Sequence, residues 1–153
     1  MSSRDDLLSA LQPALLAVKD LDLSHAANAE RALSSTYSDA EFGSLAALVH
    51  AAVKDGWMTP RKATETLLFG RIAKPSDATF DLSIDAVNME GVGAAHTHPR
   101  GEVSLCFHLS GEPLFDGHGG RWVVKEPGTR HAPTVTGGRM AILYFLPGGA
   151  ISW

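Results

Sequence analysis

Apolar residues recur every three or four positions through the first 55 residues of the chain, and every second position from about residue 80 onward. Leu7, Leu8, Leu11, Leu15 and Val18 lie on one face of a helix at that first spacing. Ser24 is placed to cap a second, short helix that reaches Arg31 to Leu33. Ser38 and Glu41 have the spacing of a capping box. Behind them Phe42, Leu45, Leu48, Val49, Ala52 and Val53 form the stripe of a third helix, closed by Gly56. Thr59-Pro60 opens a turn or a short helical start. Phe80, Leu82, Ile84 and Ala86 then alternate with Asp81, Ser83, Asp85 and Val87, which predicts a half-buried strand. Further strands are expected over 67–72, 93–98, 102–109, 121–125, 134–135 and 139–146, separated by Pro-Arg-Gly, Gly-Glu-Pro, Asp-Gly-His-Gly-Gly, Pro-Gly and Gly-Gly.

Short strands at this spacing, with helices only in front, predict a mainly β chain: an antiparallel sandwich or barrel preceded by a helical segment. The expected division is a helical segment over residues 1–60, packed on a barrel over residues 61–153, within one structural domain. A length of 153 residues fits that, with too little chain for two ordinary cores.

Charge narrows the function classes. Lys and Arg number 13 against 17 Asp and Glu, so the formal charge is 13 − 17 = −4, and no basic cluster marks a nucleic-acid surface. The longest apolar run, Met140 to Leu146, is far below the roughly 20 residues that span a bilayer. The start is acidic, with no apolar stretch of a signal peptide behind it. A single cysteine, Cys106, forbids an internal disulfide. A cytoplasmic protein with a reduced thiol is expected, with no nucleic-acid or membrane partner.

Glycine and histidine sharpen the picture. Twelve of the fifteen glycines and five of the seven histidines follow Glu90. The segment Gly93-Ala-Ala-His96-Thr-His98-Pro-Arg-Gly-Glu102 puts two imidazoles two residues apart, hence on one face of a strand. Pro99-Arg100-Gly101 turns the chain, and Glu102 can return to the same spot. Two imidazoles and a carboxylate converging from a hairpin suit a divalent transition metal. About thirty residues on, Gly128-Thr-Arg-His131 offers another imidazole after a tight turn.

The pattern His96-x-His98-x3-Glu102 with Gly128-x2-His131 resembles the two motifs of the cupin superfamily. The likeness has departures: Glu126 stands where proline is usual, Pro127 follows one place late, and Val135 replaces a frequent asparagine. The four ligand types are intact. The resemblance implies a cupin β-barrel, or jelly roll, with His96, His98, Glu102 and His131 as metal ligands. A narrower likeness runs over nearly the whole chain. Val18-Lys-Asp-Leu-Asp22, Gly56-Trp57, Phe69-Gly-Arg71, Phe115-Asp-Gly-His118, Trp122-Val-Val124, Pro133-Thr-Val-Thr-Gly-Gly138 and Leu146-Pro-Gly-Gly-Ala150 resemble blocks of the small 4-hydroxylaminobenzoate lyase family. That resemblance implies conversion of 4-hydroxylaminobenzoate to 3,4-dihydroxybenzoate with release of ammonia, in nitroaromatic breakdown.

Such chemistry assigns roles. A divalent iron, manganese, zinc or nickel ion would act as Lewis acid on the hydroxylamine oxygen and hold a water. An arginine would hold the substrate carboxylate, with Arg100 and Arg130 flanking the ligand turns and Arg71 and Arg121 as further candidates. Glu102, Ser104, Cys106 and His108 share one strand face, so His108 is a candidate acid or base beside Glu102. His118 is a candidate at the barrel mouth, and Tyr144 could stack on an aromatic ring. The expected partners are a small aromatic carboxylate and a second copy in a homodimer, since the sheet edges need cover. A cupin dioxygenase of an aromatic substrate and a non-catalytic small-molecule-binding cupin stand as alternatives.

Overall fold

The computed structural model describes residues 2–153. Four helices come first: α1 (Arg4–Ala10), α2 (Gln12–Lys19), α3 (Ala26–Leu33) and α4 (Asp39–Asp55). The single apolar stripe expected from Leu7 to Val18 is split at Leu11. Pro13 lies in the first turn of α2 and has no amide hydrogen to continue α1. Leu7, Leu11, Leu15 and Val18 still bury on one side. Ser24 does not cap α3, because its amide and hydroxyl bond Asp22 instead. The first amide of α3, at Ala26, donates to the Glu126 carboxylate 2.9 Å away. The helix is thus capped from a residue one hundred positions downstream. α4 has the expected capping box of Ser38 and Glu41 and ends on left-handed Gly56, φ 83°.

Eight strands follow: β1 (Arg61–Thr64), β2 (Leu67–Ala73), β3 (Leu82–Val92), β4 (His96–His98), β5 (Glu102–Phe115), β6 (Trp122–Lys125), β7 (Thr129–His131) and β8 (Thr134–Pro147). They form an antiparallel six-stranded sheet, in the order β1-β2-β3-β8-β5-β6, and a two-stranded sheet of β4 and β7. The chain is mainly β, with its helices in front. β1 and β7 were not foreseen as strands. β5 runs to Phe115, past its expected end at 109, and β8 joins the two strands expected over 134–135 and 139–146. The predicted break between 135 and 139 is a bulged stretch within β8, carried by Gly137 and Gly138.

Strand alternation sorts the large sheet into two faces. Leu82, Ile84, Ala86, Val103, Leu105, Phe107, Ala141, Leu143 and Phe145 pack with the helical residues in one cluster. Phe107 stacks flat on Phe42 of α4, ring centres 5.0 Å apart. Each such large side chain contributes about 1.5–3 kcal/mol on burial. The opposite face turns toward the small sheet and carries Met89, Cys106, Met140 and Ile142. β3 is therefore buried on both faces, not on one as its alternation suggested. Its polar positions Ser83 and Asp85 are enclosed. They are satisfied there: Ser83 Oγ donates to Asp85 Oδ2 at 2.8 Å and Arg71 Nε to Asp85 Oδ1 at 2.7 Å. α3 covers the edge of β6, where Glu30 accepts the Val124 amide at 2.9 Å. Among the described residues no helix is long and apolar enough to cross a membrane.

Candidate metal centre and its cavity

The two ligand-bearing turns are tied at one atom. The His98 carbonyl accepts the Gly101 amide at 3.1 Å and the Gly128 amide at 2.8 Å. Both glycines have positive φ, 86° and 84°, and a Cβ on Gly101 would sit 2.9 Å from the Lys125 carbonyl oxygen. The turn after His98 does not form a hairpin between β4 and β5. β4 pairs instead with β7, which sets His96 directly opposite His131. His96, His98 and His131 then share one face of the small sheet, and Glu102 meets them from the first position of β5 in the large sheet.

Four ligand atoms, one each from His96, His98, Glu102 and His131, lie within 4.8 Å of one another. His98 Nε2 is 3.0 Å from His96 Nε2, 3.0 Å from His131 Nε2 and 2.8 Å from Glu102 Oε2. His98 is fully buried, and His96 and Glu102 nearly so. Proton accounting shows what this arrangement lacks. His96 Nδ1 is 2.9 Å from the Ala94 carbonyl, which can only accept, so its proton is on Nδ1. His131 Nδ1 is 2.7 Å from the Asp116 carboxylate, which fixes the same tautomer. Both Nε2 atoms therefore turn lone pairs inward. His98 can direct at most one proton into the group, toward Glu102. His98 Nδ1 is buried with no hydrogen-bond partner. Three nitrogen donors and one carboxylate sharing at most one proton is a donor set that a divalent cation satisfies.

Electrostatics agree. Burial pushes His96 below its ordinary value, so it stays neutral; the Ala94 bond opposes this and the neighbouring imidazoles reinforce it. Burial would raise Glu102, but the bonds from His98 and from Ser104 Oγ, at 2.7 Å, outweigh it and hold the carboxyl below the usual range. Asp116 behaves alike. Burial opposes ionisation, yet His131, Lys125 Nζ at 2.9 Å and the Thr134 amide at 2.8 Å hold it well below normal. Sequence reasoning gave Asp116 no role. Its contact with His131 spans fifteen residues and two strands, and its φ of 48° does not set it apart, since Phe80 and Asp81 also have positive φ.

The cluster opens into a cavity of about 290 Å³. His96, Glu102, Ser104 and His131 lie at one side, and Leu67, Phe69, Val87, Met89, Phe115, Ile142, Tyr144 and Trp153 form apolar walls. That is the lower end of the roughly 300–1,000 Å³ of small-molecule sites, a size for one substituted ring. Tyr144 is among the lining residues. Burial, with the charges of Asp85 and Glu102, pushes its phenol upward, so the hydroxyl remains a neutral donor.

Other sequence candidates are not brought to this cavity. His108 is exposed, in a groove with His50 and Arg121. β6 covers β5 only from Glu102 to Leu105, and the glycines 119 and 120 beyond carry no side chain to enclose it. His118 is exposed on the turn whose backbone bridges Phe115. Arg100 lies 3.8 Å from Asp81 on the surface. Arg130 points away from the imidazole face, toward Thr97 Oγ1 at 3.4 Å. Arg71 is bound by Asp85, and Arg121 by Asp39 at 2.8 Å. None of the four arginines lines the cavity.

A family model described as PnbB, 4-hydroxylaminobenzoate lyase, matches residues 11–153. The chain belongs to this family. Its membership places it among lyases, and the relatives extend the match to full length. A Pseudomonas putida protein named 4-hydroxylaminobenzoate lyase is 30% identical, over 100% of this chain and 97% of its own. A Nocardioides sp. (strain LMS-CY) protein of the same name is 31% identical over 100% and 96%. Among solved structures, an RmlC-like cupin protein from Ralstonia eutropha JMP134 is similar at 16% identity, covering 60% of this chain and 62% of its own, TM-score 0.44. An oxalate oxidase in complex with glycolate is similar at 18% identity over 60% and 57%, TM-score 0.44.

Proposed function

We propose that this member of the lyase family is a metal-dependent enzyme that converts 4-hydroxylaminobenzoate and water to 3,4-dihydroxybenzoate and ammonia. The observation that carries the reading is the buried group of three imidazoles and one carboxylate facing a ring-sized apolar cavity. The names of the full-length relatives support the substrate. The reaction balances without an external oxidant. Water enters and ammonia leaves; nitrogen gains two electrons as the N–O bond breaks. The ring carbon that bore it exchanges nitrogen for oxygen without redox change, and the neighbouring carbon, exchanging hydrogen for oxygen, gives up the same two electrons.

His96, His98, Glu102 and His131 would hold the ion, and their donor types suit iron, manganese, zinc or nickel. When bound, it supplies Lewis acidity toward the hydroxylamine oxygen and a place for water. The chain's own residues do the rest. Apolar walls hold the ring and exclude bulk water. Ser104 fixes one oxygen of Glu102, leaving the other toward the imidazoles. Asp116 keeps the His131 proton off Nε2. Tyr144, its phenol kept neutral by burial, lines the same cavity and would be available to donate to a bound substrate.

Incubating metal-loaded protein with 4-hydroxylaminobenzoate under anaerobic conditions tests the reading. Ammonia and 3,4-dihydroxybenzoate should appear in equal amounts. Turnover that needs dioxygen would favour the cupin dioxygenase alternative. Absence of turnover in metal-loaded protein would favour a binding role.

A further inference from the structure

After Pro147 the chain turns through Gly148 and Gly149, held by Gly149 N to Leu146 O at 2.9 Å and Ala150 N to Pro147 O at 3.1 Å. It then returns across the small sheet. Ser152 and Thr97 exchange two backbone hydrogen bonds, 2.6 and 2.9 Å, as an antiparallel bridge. Thr97 lies between two of the proposed metal ligands, so this short segment acts as a third strand beside them.

The register of that bridge has a consequence. Thr97 pairs with Arg130 on one side and Ser152 on the other. Side chains alternate along strands, so this row faces away from the imidazoles. The neighbouring row, His131, His96 and Trp153, faces inward. The indole accordingly lies edge to face with the His96 ring, centres 5.0 Å apart, and lines the cavity. Yet Trp153 is 75% exposed. A large aromatic side chain is thus held beside the proposed ion with most of its surface uncovered, at the edge of a cavity walled elsewhere by the proposed ligands and by apolar residues.

We propose that Trp153 is a specificity-determining residue: its indole forms one wall of the cavity mouth and packs against the ring of a bound aromatic substrate. This rests on the aromatic-substrate reading above. Offset or edge-to-face contact between aromatic rings adds to the burial of apolar area, and the ring shields the proposed ion from bulk water on that side. Ile151, the inward residue two positions earlier, extends the same wall. Trp153 ligates nothing and its side chain is largely in solvent, so replacing it leaves the fold and metal content intact.

The test uses metal-loaded full-length protein with Trp153→Ala and Trp153→Phe, and 4-aminobenzoate as a probe that has no N–O bond to cleave. Trp153→Ala should raise KM for 4-hydroxylaminobenzoate about tenfold, with kcat within about twofold, the pattern of lost uniform binding. Trp153→Phe should recover most of that loss. Probe binding should change the tryptophan emission of the parent protein, and the change should vanish in Trp153→Phe, where Trp57 and Trp122 remain. Unchanged KM in Trp153→Ala, or an emission change that survives in Trp153→Phe, would overturn the proposal while leaving the lyase reading standing. If the parent protein neither turns over the substrate nor binds the probe, both fall.

Discussion

Asp116→Asn isolates one carboxylate that touches no proposed ion. Three donors converge on its two oxygens: His131 Nδ1–H at 2.7 Å and Lys125 Nζ at 2.9 Å on Oδ2, and the Thr134 amide at 2.8 Å on Oδ1. Asparagine offers one oxygen and one NH2 in the same volume. Whichever way it turns, an N–H faces a donor. Facing His131, it favours moving the imidazole proton to Nε2, the atom proposed to bind the ion. Loss of such an orienting partner typically weakens metal binding about 10- to 100-fold, or about 1.4–2.7 kcal/mol. The Asp116 and Lys125 side chains are only 13% and 14% exposed, so an unpaired ammonium also remains. That costs about 1–3 kcal/mol of fold stability, and roughly 3–10 °C in Tm for a domain of this size. The assay is competition for Zn²⁺ against a chromophoric chelator, with thermal unfolding of the metal-free protein in parallel. Lys125→Met separates the two effects: it should lower Tm while leaving zinc affinity within about threefold, because the His131–Asp116 bond survives. Zinc affinity of Asp116→Asn within twofold of the parent would refute the tautomer argument.

Cys106 faces the interior, and burial, with the Glu102 and Asp116 charges adding, pushes its thiol well above the usual range. Iodoacetamide at pH 8 should label it only as fast as the protein unfolds; labelling at the rate of a free thiol would contradict its placement. In metal-free protein His96 is held below its ordinary 6.5 by burial. The unfolded chain then takes up that proton first as pH falls, so this contribution to stability is complete above about 6.5 and declines below it. Glu102 and Asp116 are held below 4.5 and 3.8, so their contributions persist above those values and disappear as pH drops through their lowered ones. Proton NMR titration of His96 should give a midpoint under 6.5, and a midpoint above it would contradict the stated environment.

His96, His98 and Glu102 were legible because their geometry is local, whereas His131, twenty-nine residues beyond Glu102, joined them through the resemblance of Gly128-x2-His131 to the second cupin motif. A two-residue spacing puts His96 and His98 on one face, and a three-residue turn brings Glu102 back. The partner strand was misjudged, since β4 pairs with β7 and not with β5. Nothing in the spacing of residues 96–102 shows that choice. Arg130 adjoins His131, and its opposite facing follows only from β7 being a strand, which the periodicity did not show. Arg100 sits at a turn tip, where no period applies. His108 followed the inward alternation of Glu102, Ser104 and Cys106. It is exposed because the covering strand ends early, a matter of tertiary packing. The apolar stripe of α4, its capping box and Gly56 depend on neighbours three or four residues away and emerged as expected, whereas the first stripe is broken into two helices at Leu11. The cap of α3 by Glu126 and the Asp116–His131 bond depend on contacts 100 and 15 residues apart, which no window of periodicity reaches.

The central claim is that one ion held by His96, His98, Glu102 and His131 is required for ammonia release from 4-hydroxylaminobenzoate. Its most direct test is an anaerobic titration of chelator-stripped protein with a divalent transition metal, reading the initial rate of ammonia formation. The account predicts no activity at zero metal and a rise to a plateau at one equivalent per chain for at least one of iron, manganese, zinc or nickel. Full activity in the stripped protein, or a rate that ignores added metal for all four ions, would contradict it.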